Sequence, residues 1–148
     1  MRAAQMFEEF PVVGQNSGAL EAARLLAERR LPGLVVIDDT GVPVALLPAS
    51  QVVQFLVPSY IQDDPSLAGV LDESMSDHLA ERLAGRSVLS LLPKQAPELP
   101  RVAADDTLVE VAAVMARSRC PMVAVMEGRR LLGVVTASRL LELALEHS

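Results

Sequence analysis

A chain of 148 residues, half of them apolar, has material for one well-filled core or two tightly joined halves. Its net charge of −6, with the Arg residues scattered and Lys94 the single Lys, lacks the basic stripe that nucleic-acid backbones require, so no nucleic-acid partner is expected. No apolar run approaches the ~20 residues that cross a bilayer, no secretory leader pattern opens the chain, and the lone Cys120 makes no internal disulfide; a cytoplasmic setting away from membranes is expected.

Aromatic residues are few (Phe7, Phe10, Phe55 and Tyr60), so the core falls to Leu, Val, Ala and Met. Arg2–Phe7 forms a lead-in to a short predicted strand, Phe10–Val13. A polar turn comes next at Gln15-Asn16-Ser17. Ala19, Ala22, Ala23, Leu26 and Ala27 then line one face of a predicted helix, with Gly18 a weak cap. Pro32 ends that helix and launches Leu34–Ile37. Asp38-Asp39-Thr40-Gly41 turns this run into Val42–Leu47, a predicted hairpin. A closing helix starts near Ala49, with Val52, Val53 and Leu56 apolar.

The stretch Pro58–Gly85 is acidic, with Asp63, Asp64, Asp72, Glu73, Asp77 and Glu81 ahead of its first basic residue. Its Leu, Val and Met residues recur at near-helical spacing, which predicts one or two amphipathic helices. Its carboxylates have two readings, a solvated helix face or a divalent-ion site, and the first is preferred. Arg86–Leu92 leads into the rest of the chain much as Arg2–Phe7 opens it, and Lys94–Pro97 is a polar loop.

The C-terminal third repeats the first part. Leu99–Val102 is the short strand, and Thr107-x-x-Glu110 reads as a capping box. Leu108, Val111, Ala112, Met115 and Ala116 form the helix face. Pro121 launches Met122–Met126, Glu127-Gly128 turns, Leu131–Val135 returns, and a closing helix starts near Ala137. Phe10–Asp38 aligns on Leu99–Glu127 without a gap, with identities Pro11/Pro100, Val13/Val102, Glu21/Glu110, Ala23/Ala112, Ala27/Ala116, Arg30/Arg119, Pro32/Pro121 and Val36/Val125. Two βαββα copies, each too small to bury a good core, are expected to pack about a pseudo-two-fold axis with paired clefts between them. The expected fold is therefore α/β (α+β): repeat 1 at 1–57, the helical insertion at 58–85 and repeat 2 at 86–148.

The pattern resembles a tandem pair of CBS domains, the cystathionine β-synthase type. The motifs are Cys120-Pro121-Met122-Val123-Ala124-Val125 and, after the hairpin, Gly133-Val134-Val135-Thr136-Ala137-Ser138-Arg139-Leu140-Leu141. In copy one, Leu31–Asp38 and Ala45–Val53 match more loosely. The resemblance implies a regulatory module that binds AMP, ADP, ATP or S-adenosylmethionine between its copies, forms a homodimer and signals to a separate protein. Carried onto this chain, the site residues are Val102, Arg119, Cys120, Pro121, Thr136, Ser138 and Arg139, with Pro32, Ser50 and Gln51 from copy one.

The family's Thr-x-x-Asp, which sets a ribose-gripping carboxylate at the start of the closing helix, is altered in both copies. Copy two keeps Thr136 but has Arg139 for the Asp; copy one has Pro48 and Gln51. Each residue keeps two readings. Thr136 caps its helix or touches ligand. Arg139 is solvated or pairs with a polyphosphate. Arg30 and Arg119 complement helix ends or line a cleft, and Cys120 is a buried wall residue. Catalysis has little support: His78 and His147 have no acid–base partner by spacing, and no phosphate loop or hydrolase motif occurs. A regulatory sensor without a metal or fixed cofactor is the expectation, and a ligand-free dimerisation or docking scaffold is the competing one.

Overall fold

The computed structural model describes residues 1–57, 63, 64, 66, 78–94 and 98–146. The elements of copy one are β1 (Val12–Gly14), α1 (Ala19–Arg29), β2 (Gly33–Ile37), β3 (Pro43–Pro48) and α2 (Ala49–Leu56). A short helix, α3 (Val88–Leu91), precedes copy two: β4 (Arg101–Ala103), α4 (Leu108–Ser118), β5 (Met122–Glu127), β6 (Arg130–Thr136) and α5 (Ala137–Glu146). Each copy builds a three-stranded sheet in chain order, β1-β2-β3 and β4-β5-β6. In the second sheet β4 runs parallel to β5 and β6 antiparallel to it. A parallel neighbour requires a crossover, and α4 supplies it. The βαββα order read from the repeat is thus the observed one. The acidic stretch falls mostly outside the described residues; at its end Leu79–Arg82 forms a 3-10 turn.

The launch of each central strand is tied to the start of each closing helix. The Ala49 amide donates to the Pro32 carbonyl at 2.9 Å, and the Ala137 amide to the Pro121 carbonyl at 2.8 Å. The recurring prolines thereby have a physical role. Each stands two residues beyond a helix's C-cap, where its missing amide hydrogen bars the helix from continuing, and offers its carbonyl to the orphan first amide of the next.

Two compact units result: Met1–Val12, Val35–Leu46 and Pro97–Ser148 in one, Val13–Leu34 and Leu47–Ala96 in the other. Each holds the lead-in of the opposite copy. In the first unit the opening turn, Ala3–Gln5, seats on copy two. Ala3 donates to Asp106 O at 2.8 Å, Ala4 to Ala104 O at 2.8 Å, and Leu108 to Met1 O at 3.2 Å. Glu8 then pairs with Val134 by two antiparallel hydrogen bonds of 2.9 and 3.0 Å. Ala3 and Met6 are fully buried in one cluster with Val102, Val111, Met115, Val123, Val125, Val135, Leu140 and Leu143. The second unit repeats the arrangement with copy-one residues. Val88 donates to Ser17 O at 2.8 Å, Leu89 to Gln15 O at 2.9 Å, and Ala19 to Arg86 O at 2.8 Å, while Val88 and Leu91 are buried. The two isolated bridges Arg2↔Thr107 and Ser87↔Gly18 mark equivalent places, because Gly18 and Thr107 align in the repeat.

This exchange explains two shifts from the predicted strands. β1 begins at Val12, not Phe10, because Glu8 is already paired to β6 and Phe10 packs on the Val35, Leu99 and Met122 cluster. β4 begins at Arg101 because Leu99 is buried in that same cluster.

Helix ends obey the predicted chemistry. Thr107 and Glu110 form the capping box, with Thr107 Oγ1 accepting from the Glu110 amide at 3.3 Å, whereas Gly18 caps α1 with no side-chain bond. Arg30 and Arg119 close α1 and α4 in the left-handed conformation, φ 52° and 55°. That conformation costs a non-glycine residue roughly 1–2 kcal/mol. Arg119→Gly and Arg30→Gly are each expected to raise stability by about 1 kcal/mol in urea unfolding, and a loss of stability would show that the guanidinium holds something stronger.

Candidate functional site

The structure places the predicted residues at three kinds of position. Val102 is a core residue, 4% exposed, paired in register with Val125. Cys120 is half-buried, a free thiol packed beside the Met122 and Ala124 cluster. Arg119 is the exposed C-cap of α4. Pro121, Thr136, Ser138 and Arg139 meet where β5 begins and α5 starts: Thr136 lies opposite Met122 in the sheet, and the Pro121 carbonyl holds Ala137. Pro32, Ser50 and Gln51 occupy the matching junction of copy one, in the other unit.

At both junctions the polar groups already have work. Thr136 Oγ1 accepts from the Arg139 amide at 3.2 Å, so Thr136 caps its own helix. Arg139 Nη1 donates to Glu142 Oε1 at 2.7 Å, an i,i+3 pair on one helix. Arg139 Nε is shielded from solvent without a partner. Gln51 Nε2 donates to the Leu91 carbonyl at 2.9 Å, fastening α3 to copy one. Ser138 and Ser50 are exposed. These bonds take up two amides at the start of α5 and leave copy one with Pro48, which has no capping side chain.

Another feature of the first unit is an open groove with room for a small molecule. A cavity of about 710 Å3 is lined by Glu9, Phe10 and Val12, by Ile37, Thr40 and Gly41 from the β2–β3 hairpin, and by Arg129 through Gly133 from the β5–β6 hairpin. That volume lies within the usual range for small-molecule sites, roughly 300–1,000 Å3. Phe10, Ile37 and Leu131 form its apolar floor and pack on the buried Val35, Leu99, Met122 and Met126 cluster. Its polar groups stand on the rim: Glu9, Thr40, Arg129 and Arg130.

Two turns shape that rim. Gly128, at φ 63°, takes the first position of the two-residue β5–β6 turn, where a side chain would be strained. Glu127 and Arg130 face each other across it. In the β2–β3 turn Asp38 Oδ1 accepts from Thr40 Oγ1 at 2.6 Å, from the Thr40 amide at 2.8 Å and from the Val42 amide at 3.1 Å. The Thr40 hydroxyl first, and the Val42 amide after it, hold the Asp38 carboxyl below its ordinary value. A depressed folded-state pKa stabilises above the unfolded value and is lost as pH falls through the folded one. Acidification through that value is therefore expected to loosen this lip of the cavity. An NMR titration of Asp38 and the Thr40 amide reads the effect, and Thr40→Val should move the Asp38 midpoint upward; an unmoved midpoint would refute the assignment.

Neither hairpin carries a residue that sequence reasoning singles out as a ligand contact. The one signal for it is Arg129-Arg130, a doubled cation at a turn where copy one has Asp39-Thr40-Gly41. Among the described residues no group of His, Cys, Asp and Glu is placed to hold a metal ion, and no helix is long and apolar enough to cross a membrane.

The CBS domain family model matches residues 95–146. A crystal structure of a CBS domain-containing protein of unknown function from Kribbella flavida is 61% identical, spans 98% of this chain and 99% of its own, and superposes with a TM-score of 0.93. The structure of CBSX2 from Arabidopsis thaliana is 18% identical, covers 99% of this chain and 95% of its own, and superposes with a TM-score of 0.74; a structure of CBSX2 in complex with AMP, 19% identical, covers 99% of this chain and 97% of its own at 0.69. The CBS domain pair of protein MJ0100, solved with 5′-methylthioadenosine and S-adenosylmethionine, is 16% identical, covers all of this chain and 98% of its own, and has a TM-score of 0.64. A comparison with curated proteins finds no match. With its repeated βαββα order, its two sheets and a relative this similar along its whole length, the chain belongs to the CBS-domain proteins, as a tandem pair.

Proposed function

We propose that this CBS pair is a non-catalytic regulatory module that binds an adenosine-containing ligand and passes the binding event to a separate protein. The observation that carries the reading is the cavity of the first unit, which joins an apolar floor containing Phe10 to a charged rim. An adenine ring needs such a floor, and a ribose or phosphate needs such a rim. The complexes of CBSX2 with AMP and of the MJ0100 pair with two adenosyl compounds support it at the level of the fold.

Thermal unfolding with AMP, ADP, ATP, S-adenosylmethionine and adenosine tests the reading. A ligand that binds only the native state, at a hundred times its Kd, adds about 2.7 kcal/mol. For a chain of this size that raises Tm by roughly 5–11 °C. No shift with any of them at millimolar concentration refutes the sensor.

A second reading, the ligand-free scaffold, is favoured by one observation: Gln51 and Arg139, which replace the family's carboxylate, are both engaged within the protein. The sensor is proposed to act as a homodimer. Leu141 and Leu145, on the outer side of α5, are 59% and 68% exposed, and two large apolar side chains a helical turn apart favour self-association. Light scattering at micromolar concentration is expected to give twice the chain mass, and Leu141→Glu with Leu145→Glu to halve it; a monomeric wild type would remove the dimer.

A further inference from the structure

We infer that the cavity takes a nucleoside polyphosphate in preference to a cationic adenosyl compound, and that Arg129 and Arg130 on the β5–β6 turn hold its phosphates. This rests on the reading of the cavity as an adenosine site and goes beyond it by assigning the ligand's charge class and the residues that read it.

The first support is the contrast with arginines that are already engaged. Arg2 donates to Asp105 O, Arg82 to Phe55 O, Arg101 to Pro43 O and Arg139 to Glu142, while Arg86 donates to Arg82 O and covers the Phe55 ring. Arg24, Arg29, Arg30, Arg117 and Arg119 are exposed too, but only Arg129 and Arg130 line the cavity, and neither of their side chains has a hydrogen bond or ion pair among the described residues, although Glu127 lies opposite Arg130 across the turn. Two guanidinium groups lining one cavity offer up to ten N–H donors in planar forks, matched to the oxygens of neighbouring phosphates. A single phosphate uses one fork; a diphosphate or triphosphate uses both.

The second support is that the alternative seat is largely taken, with the Ser138 amide alone left open at the start of α5. A helix N-terminus is a ready anion site through its free amides, but in α5 the Ala137 and Arg139 amides are bonded to Pro121 O and Thr136 Oγ1. The third support is placement. Phe10, Ile37 and Leu131 provide an apolar bed beside the arginines, so base and phosphates are served within one cavity. Glu9, on the same rim, repels phosphate and accepts from ribose hydroxyls, which orients the ligand with its phosphates towards the β5–β6 turn. A sulfonium cation facing two arginines is disfavoured by like charge.

Isothermal titration of the full chain with ATP, ADP, AMP, adenosine and S-adenosylmethionine tests this. Wild type is expected to bind ATP and ADP at least tenfold more tightly than AMP, and S-adenosylmethionine most weakly. R129Q/R130Q should lose at least tenfold for ATP while holding adenosine affinity and the ligand-free Tm. R129K/R130K should recover part of the loss, because charge remains without the forks. Thr136→Val should leave ATP affinity unchanged. If these ligands bind wild type but R129Q/R130Q binds ATP as tightly, or if S-adenosylmethionine binds more tightly than ATP, the inference fails and the adenosine reading stands. If none of the five binds, both fall.

Discussion

Gly133→Ala is expected to lower Tm by roughly 7–20 °C, the equivalent of about 3.5–5 kcal/mol for a chain of this size. A Cβ on Gly133 would stand 2.5 Å from the Glu8 carbonyl oxygen and 2.5 Å from a Phe7 ring carbon. The first of these is backbone, which has no rotamer to give. The strand partner must therefore move, and with it the Glu8–Val134 hydrogen bonds at 2.9 and 3.0 Å. Each such bond contributes about 1 kcal/mol. Once Glu8 is released, the opening turn loses its second anchor, and the burial of Met6, roughly 1.5–3 kcal/mol, goes with it. Met6→Ala alone is expected to cost about 2–5 kcal/mol. The two substitutions share one mechanism, so they should combine less than additively in a double-mutant cycle. Hydrogen exchange of the Glu8 and Val134 amides should accelerate with Gly133→Ala. Full additivity, with exchange unchanged, would mean that the strain stays local and the lead-in remains seated.

This dependence was not legible in the sequence, although much of the fold was. The repeat exposed the element order because apolar spacing is local: Val111 and Met115, or Ala19, Ala22 and Leu26, announce the buried side of their own helix. The capping box Thr107/Glu110 was equally readable, because its bonds close within three residues. The equivalence of Arg2–Phe7 and Arg86–Leu92 was visible too. Which copy each lead-in covers was not, since a bond such as Ala3 to Asp106 leaves no periodic trace in either segment. At the site the same division holds. Thr136 was readable as either a cap or a ligand contact, and the Arg139 amide shows that it caps. Gln51 looked like a lost ligand group, but its amide reaches Leu91, forty positions on, which no local pattern reports. The cavity left no sequence pattern because three segments far apart in the chain, around Phe10, Thr40 and Leu131, each contribute a few residues to it, and no local periodicity reports that meeting. Only their chemistry, the paired Arg129-Arg130, could have drawn attention.

Cutting the chain between residues 57 and 78 yields two fragments, 1–57 and 78–148, neither of which is expected to fold alone. Fragment 1–57 lacks every partner that α3 and its approach supply: Arg86 O for the Ala19 amide, the amides of Val88 and Leu89 for Ser17 O and Gln15 O, and Leu91 O for Gln51. It also lacks the buried Val88 and Leu91. Fragment 78–148 lacks the partners of Asp106 O, Ala104 O and the Leu108 amide, the Glu8 pairing with Val134, and Ala3 and Met6 from its core. Domains near 60 residues bury only about 60% of the surface that their unfolded chains expose, so a deficit of this size exceeds their margin. Circular dichroism and NMR should show each fragment unfolded and an equimolar mixture folded, because every missing group is supplied by the other piece. Fragment 78–148 with residues 1–10 fused ahead of it should regain structure in part, since the fusion restores the opening turn and the Glu8 pairing. A cooperative melt from either plain fragment would show that a copy is self-sufficient, and that the exchanged lead-ins add to its stability without being required for it.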